Sequence, residues 1–226
     1  MSSSTSGSTL QVCRECGGGA PIDVHFCPQC TKILSLGRHG DYFAFLGLPR
    51  KLNLDTADLE RRFRDLSRQF HPDYFYNAAP AERRASLERS SYLNDAYRTL
   101  KDPIGRIEYL LKIEGLTGGA SEREGSSRAT VPPSLLEEVF ALNEELDEIR
   151  GQRASGAPRD QIAARLERAR RPIERKREEH ERDVKALAVK WDAEGDRAIL
   201  EALRDRILER NYITNLLDGI ERELSA

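Results

Sequence analysis

Residues 59–75 read LERRFRDLSRQFHPDYF. Leu59, Phe63, Leu66 and Phe70 fall at i, i+4, i+7 and i+11, which makes one apolar stripe at helical period. Asp55 stands where an N-cap belongs, and Pro72 stops the helix. Arg61, Arg64 and Arg68 recur at i, i+3 and i+7 on the side away from Phe63, Leu66 and Phe70. His71 and Asp73 are therefore displayed at the tip of a sharp loop fixed by Pro72. Past the loop, Pro80 suits the first turn of a partner helix. Its expected inward face is Leu87, Tyr92 or Leu93, Ala96, Tyr97 and Leu100, and Pro103 ends it. Before the stripe, Asp41 can cap a short helix carrying Tyr42, Phe45 and Leu46, ended by Gly47 and Pro49. After it, a fourth short helix runs from Arg106 to Lys112. The pattern is all-α, a helical hairpin with short helices on either side.

Residues 117–133, TGGASEREGSSRATVPP, read as a linker closed by two prolines. Ser134 with Glu137 has the spacing of a capping box and opens a helix to about Arg150. A second helix runs from near Pro158 to about Lys190, and Pro172 inside it should kink or divide it. A third runs from Asp196 to about Leu224, which gives a three-helix bundle. Residues 134–149 hold six acidic side chains and no Lys or Arg, whereas 165–177 hold seven basic ones against two acidic. Opposite faces on neighbouring helices can simply attract each other. A nucleic-acid patch would interleave aromatics, which the basic segment lacks.

Cys13, Cys16, Cys27 and Cys30 are the chain's four cysteines, spaced C-x2-C-x10-C-x2-C. Two residues between thiols let both sulfurs of a tight turn reach one ion, and two such turns supply a tetrahedral set. Gly17 and Pro28 suit narrow knuckles. The expectation is a structural zinc site, with iron as the other metal these ligands hold. His25 is then a bystander, because four thiolates already fill the sphere and leave no position for catalysis. So few apolar residues surround the cysteines that the segment needs its ion to fold. The remaining alternative is two redox-active pairs, and hence a thiol oxidoreductase. That requires a low-pKa thiolate at a helix N-terminus, and no helical signal is present here.

Charged residues make up 33% of the 226 residues, hydrophobic residues 38%, and the net charge is −2. This composition argues against one deep apolar core and gives no global electrostatic case for nucleic acid or membrane binding. No apolar run approaches the ~18 residues of a membrane span. The first dozen residues carry neither Lys nor Arg, so no signal or transit peptide is read, and a bacterial cytoplasm is expected. The sequence carries no phosphate loop or nucleophile–base pair, so the protein is read as not an enzyme.

DYFAFLGLP (41–49), the stretch at 59–75 and SSYLNDAYRTLKDPIGRIEYLLKIEGL (90–116) resemble a J-domain. Asn94, Ala96, Tyr97, Thr99, Leu100, Pro103, Arg106, Tyr109, Leu110 and Leu111 resemble the run found in HscB-type iron–sulfur co-chaperones in particular. LLEEVFALNEELDEI (135–149) is similar to the acidic first helix of their C-terminal domain, and the cysteine pairs are similar to an N-terminal extension of some members. The resemblance implies an L-shaped pair of a J-domain and a three-helix bundle led by a small zinc knuckle. Its parts are a flexible tail (1–12), a metal element (13–36), a J-domain (41–116), the linker (117–133) and a client-binding bundle (134–226). It implies docking on a DnaK/HscA-type ATPase chaperone through His71, Pro72, Asp73 and the face of Arg61, Arg64 and Arg68. It also implies binding of an IscU-type scaffold through Leu136, Phe140, Glu144 and Tyr212. Glu60 and Asp65 dilute the basic face, and Tyr74 follows the loop where the family usually has Lys. Read as helix periodicity alone, Leu136, Phe140 and Tyr212 would be bundle core. A J-protein with another polypeptide client is the alternative function, and self-association through the metal element is left open.

Overall fold

The computed structural model describes residues 10–21, 24–36, 41–116 and 135–225. The chain divides into two compact units, Met1–Ile113 and Glu114–Ala226. The expected linker at 117–133 and the Ser134 cap lie outside the described residues.

The first unit opens with a two-stranded antiparallel hairpin, β1 (Leu10–Val12) and β2 (Gly19–Pro21), in which Gln11 faces Ala20. Among the other described residues of the cysteine element, Phe26 and Ile33 make one isolated bridge. The β1 strand takes in residues 10–12, which the sequence reading gave to a flexible tail. Four helices follow. In α1 (Tyr42–Phe45), Asp41 Oδ1 accepts the Ala44 amide at 3.0 Å. In α2 (Thr56–Phe70), Asp55 accepts the Ala57 amide at 2.9 Å. Next come α3 (Pro80–Lys101), with Pro80 in its first turn, and α4 (Pro103–Ile113). These four caps and breakers stand where the side-chain chemistry places them. Helices α2 and α3 form the hairpin, with Leu59, Phe70, Leu93, Ala96 and Leu100 buried between the elements. Arg106 on α4 is buried and fastens the far end, donating to the carbonyls of Leu100 (2.7 Å), Leu52 and Lys101.

One expected core position is wrong. Leu87 is 58% exposed, and Ala85, Ser86 and Arg89 turn inward instead. The reason is tertiary: this half of α3 packs against the cysteine element as well as the end of α2. Arg89 is fully buried there. Its Nε donates to Leu34 O at 2.7 Å, one terminal nitrogen lies 2.7 Å from His25 Nδ1, and the other donates to Ser35 O at 3.2 Å. Burial holds its guanidinium down to about 10.

The second unit is α5 (Leu136–Ala154), α6 (Arg159–Glu194) and α7 (Arg197–Ser225). Contacts of Lys176 with Glu138 and of Arg165 with Glu145 run α6 antiparallel to α5. Contacts of Arg170 with Glu221 and of His180 with Arg206 O run α7 antiparallel to α6. Leu142, Leu146, Ile149, Ile162, Leu166, Ile173, Ile213 and Ile220 fill the core. Pro172 does not divide α6, which stays one element of 36 residues. The opposite charges of α5 and α6 do attract each other. Arg165 bridges Glu145 and Glu148, and its hydrogen bond holds the Glu145 carboxyl below the usual carboxylate range.

Candidate functional site

The four thiols converge. All four sulfurs lie within 4.8 Å of one another, with Cys13 to Cys30 and Cys16 to Cys27 both at 3.7 Å. A tetrahedral ion with sulfur ligands at ~2.3 Å needs sulfurs about 3.8 Å apart. The two 3.7 Å contacts join one knuckle to the other, which suits a shared ion. The Cys30 amide leads the effects that lower the Cys27 thiol, to about 7. The Lys32 amide would lower Cys30, but burial and the neighbouring thiols drive it up to about 12.

The two knuckles repeat one backbone pattern. Cys13 N donates to Gly18 O (2.8 Å) and Gly17 N to Cys13 O (2.9 Å); Cys27 N donates to Lys32 O (2.9 Å) and Thr31 N to Cys27 O (2.9 Å). The residue after each second cysteine is left-handed, Gly17 at φ +74° and Thr31 at φ +59°. Glycine adopts this conformation freely, whereas a β-branched residue is strained there. Thr31→Gly is therefore expected to stabilise the metal element by about 1 kcal/mol, read as tighter metal retention against a competing chelator.

Phe70 ends α2, and the extended backbone of His71 (ψ 126°) is what a following proline demands. Pro72–Phe75 then make a single 3-10 turn, with Tyr74 N donating to His71 O at 3.0 Å. His71 Nδ1 accepts the Asp73 amide at 3.3 Å and lies 3.5 Å from Asp73 Oδ2. The side chain of Asp73 is 86% exposed and that of His71 about half exposed. Tyr74 and Tyr76 flank them as large exposed rings. Arg61, Arg64 and Arg68 project from α2 into solvent and pair, among the described residues, with Asp58, Glu60 and Asp65. Such pairs contribute about 0–1 kcal/mol each, so an incoming acidic surface can displace them.

On the bundle, Leu135, Leu142, Leu146 and Ile149 turn into the core, which leaves Leu136, Phe140 and Glu144 on the outer face. Phe140 is 70% exposed and Leu136 38%. The bundle-core reading fails for these two residues. Tyr212 is half-buried against the core, and burial raises its hydroxyl, which has no hydrogen-bond partner among the described residues.

Sequence reasoning missed the link between the metal element and the loop. His25 is no ligand, yet it is no bystander to the fold. Its ring meets Phe45 (4.8 Å) and Phe70 (4.9 Å) edge-on, and its Nδ1 pairs with Arg89.

Comparison with known proteins places this arrangement. Residues 41–109 match the DnaJ domain. The human iron–sulfur cluster co-chaperone protein HscB is 34% identical over 154 residues, 67% of this chain and 63% of that protein, so under two thirds of the relative's length is matched. The crystal structure of human co-chaperone protein HscB superposes with a TM-score of 0.66 at 27% identity, covering 94% of this chain and 98% of that one. Chaperone HscB from Vibrio cholerae superposes with a TM-score of 0.51 at 27% identity, covering 81% and 96%.

Proposed function

The chain belongs with the HscB-type J-domain proteins and carries an N-terminal tetracysteine cluster, and from that premise we propose that it is a bridging co-chaperone of iron–sulfur cluster assembly. The first unit docks on a DnaK/HscA-type chaperone and stimulates its ATPase. The second delivers an IscU-type scaffold protein. The observation that carries this reading is the exposed His71-Pro72-Asp73 turn at the end of an arginine-bearing helix, in a chain whose relative is named an iron–sulfur cluster co-chaperone.

His71, Pro72 and Asp73 perform no bond chemistry on ATP. Pro72 fixes the turn, and His71 and Asp73 offer one N–H and one carboxylate in a set geometry to the chaperone. Arg61, Arg64 and Arg68 steer an acidic surface onto α2 and lose little in giving up their own pairs. The chain is an adaptor, and its metal is structural: Cys13, Cys16, Cys27 and Cys30 would hold a zinc ion that would cross-link the two knuckles. No helix among the described residues is long and apolar enough to cross a membrane.

Leu136, Phe140 and Glu144 form the scaffold contact, an apolar pair beside an acid on one helix face, with Tyr212 contributing from α7. Calorimetric titration of the scaffold into this chain tests it, with saturable one-to-one binding expected. Phe140→Ala should weaken that binding about tenfold while leaving the melting temperature unchanged, since the ring is mostly in water. Equal affinity for the variant would remove Phe140 from the interface.

A further inference from the structure

The carbonyl of Phe70 is the last backbone group before the His71-Pro72-Asp73 turn, and it is held unusually well. It accepts Ser86 Oγ at 2.6 Å and Ser90 Oγ at 3.0 Å, both from α3. The Phe70 ring is fully buried and is gripped from the other side by the cysteine element. The His25 ring stands edge-on to it at 4.9 Å, Phe26 lies 6.0 Å away, and the Arg89 guanidinium sits 5.7 Å from its centroid. Arg89 in turn spends its donors on that element, at Leu34 O, Ser35 O and His25 Nδ1. His25 is two residues from the ligand Cys27, and its own carbonyl accepts Leu34 N at 3.0 Å. An unbroken run of contacts thus leads from the thiolate cluster through His25 to Phe70 and the turn. Lys32 adds a second tether, to Glu82 near the start of α3.

Resting on the co-chaperone reading above, we propose that His25 and Arg89 are positioning residues through which the metal-loaded cysteine element sets the geometry of the His71-Pro72-Asp73 turn. The element does not need to touch the chaperone to govern docking. With the ion in place, the knuckle that carries His25 is rigid, and Phe70 has one position. Without it, the hairpin retains its own core at Leu59, Leu93, Ala96 and Leu100, but the end of α2 loses the wall that the turn is built on. Metal supply would then reach chaperone stimulation through the J-domain itself.

The test uses the full-length, metal-loaded chain and its His25→Ala and His25→Phe variants, together with chelator-treated wild type. Amide hydrogen exchange is read at Tyr74, whose N–H bonds within the turn, and at Leu110 in α4 as a control. In His25→Ala, with metal content unchanged, Tyr74 exchange should quicken about tenfold while Leu110 stays protected. The concentration of the chain giving half-maximal chaperone ATPase should rise by a similar factor, with the maximal rate unchanged. His25→Phe, which keeps an aromatic ring against Phe70, should recover part of both effects. Chelated wild type should match His25→Ala. Unchanged Tyr74 exchange in His25→Ala and in the chelated chain would overturn the proposal. Should His25→Ala lose its metal, the chelated wild type alone decides, on the same readout. The exchange measurement needs no chaperone, so its outcome stands apart from failure of the co-chaperone reading, which would show as no ATPase stimulation by the wild type.

Discussion

His71→Gln is expected to abolish stimulation of the chaperone's ATPase while the chain keeps its stability to within about 0.5 kcal/mol. The side chain of His71 is about half exposed, and its one hydrogen bond among the described residues, from the Asp73 amide at 3.3 Å, is long. Little folding free energy therefore depends on the ring. The turn is held from beneath by Pro72, by the Tyr74-to-His71 backbone bond and by the two serines on Phe70 O, none of which the substitution removes. What goes is the orientation of one N–H beside an exposed carboxylate. Chaperone ATPase assays alongside thermal denaturation separate the two. A melting temperature lowered by many degrees would mean that the imidazole supports the fold.

The second large effect is at the metal. Cys27→Ser should reduce bound metal from about one ion per chain to less than a tenth of that, because a hydroxyl cannot replace a buried thiolate. Metal binding of this kind supplies on the order of 10–16 kcal/mol to the folding of small sites. The element's own core, Cys13, Ala20, Cys27 and Leu34, is too small to hold without it. Helices α5 to α7 share no residue with it and should keep their helical circular dichroism. Elemental analysis with circular dichroism checks both halves. Full metal occupancy in the variant would contradict the four-thiolate site.

The helices were legible because their signals are local. Asp41, Asp55, Pro80 and Pro103 cap or break where their side chains dictate, and the cysteine spacing requires no knowledge of the fold. What failed was long-range. The inward face of α3 depends on what covers it, so Leu87 faces water and Arg89 is buried where the cysteine element lies against that half of the helix. His25 and Arg89 are 64 residues apart, and no periodicity announces such a pair. On α5 the apolar residues occupy two faces, Leu142–Leu146–Ile149 and Leu136–Phe140, and composition alone does not say which is core. The strands of the cysteine element were not legible, because three-residue strands carry no pattern.

Steady-state ATPase of the DnaK/HscA-type chaperone, measured with this chain alone, the IscU-type scaffold alone and both together, tests the bridging role most directly. The account predicts stimulation by the chain and a further, more than additive rise with both present. No stimulation by the chain, with or without scaffold, would contradict it.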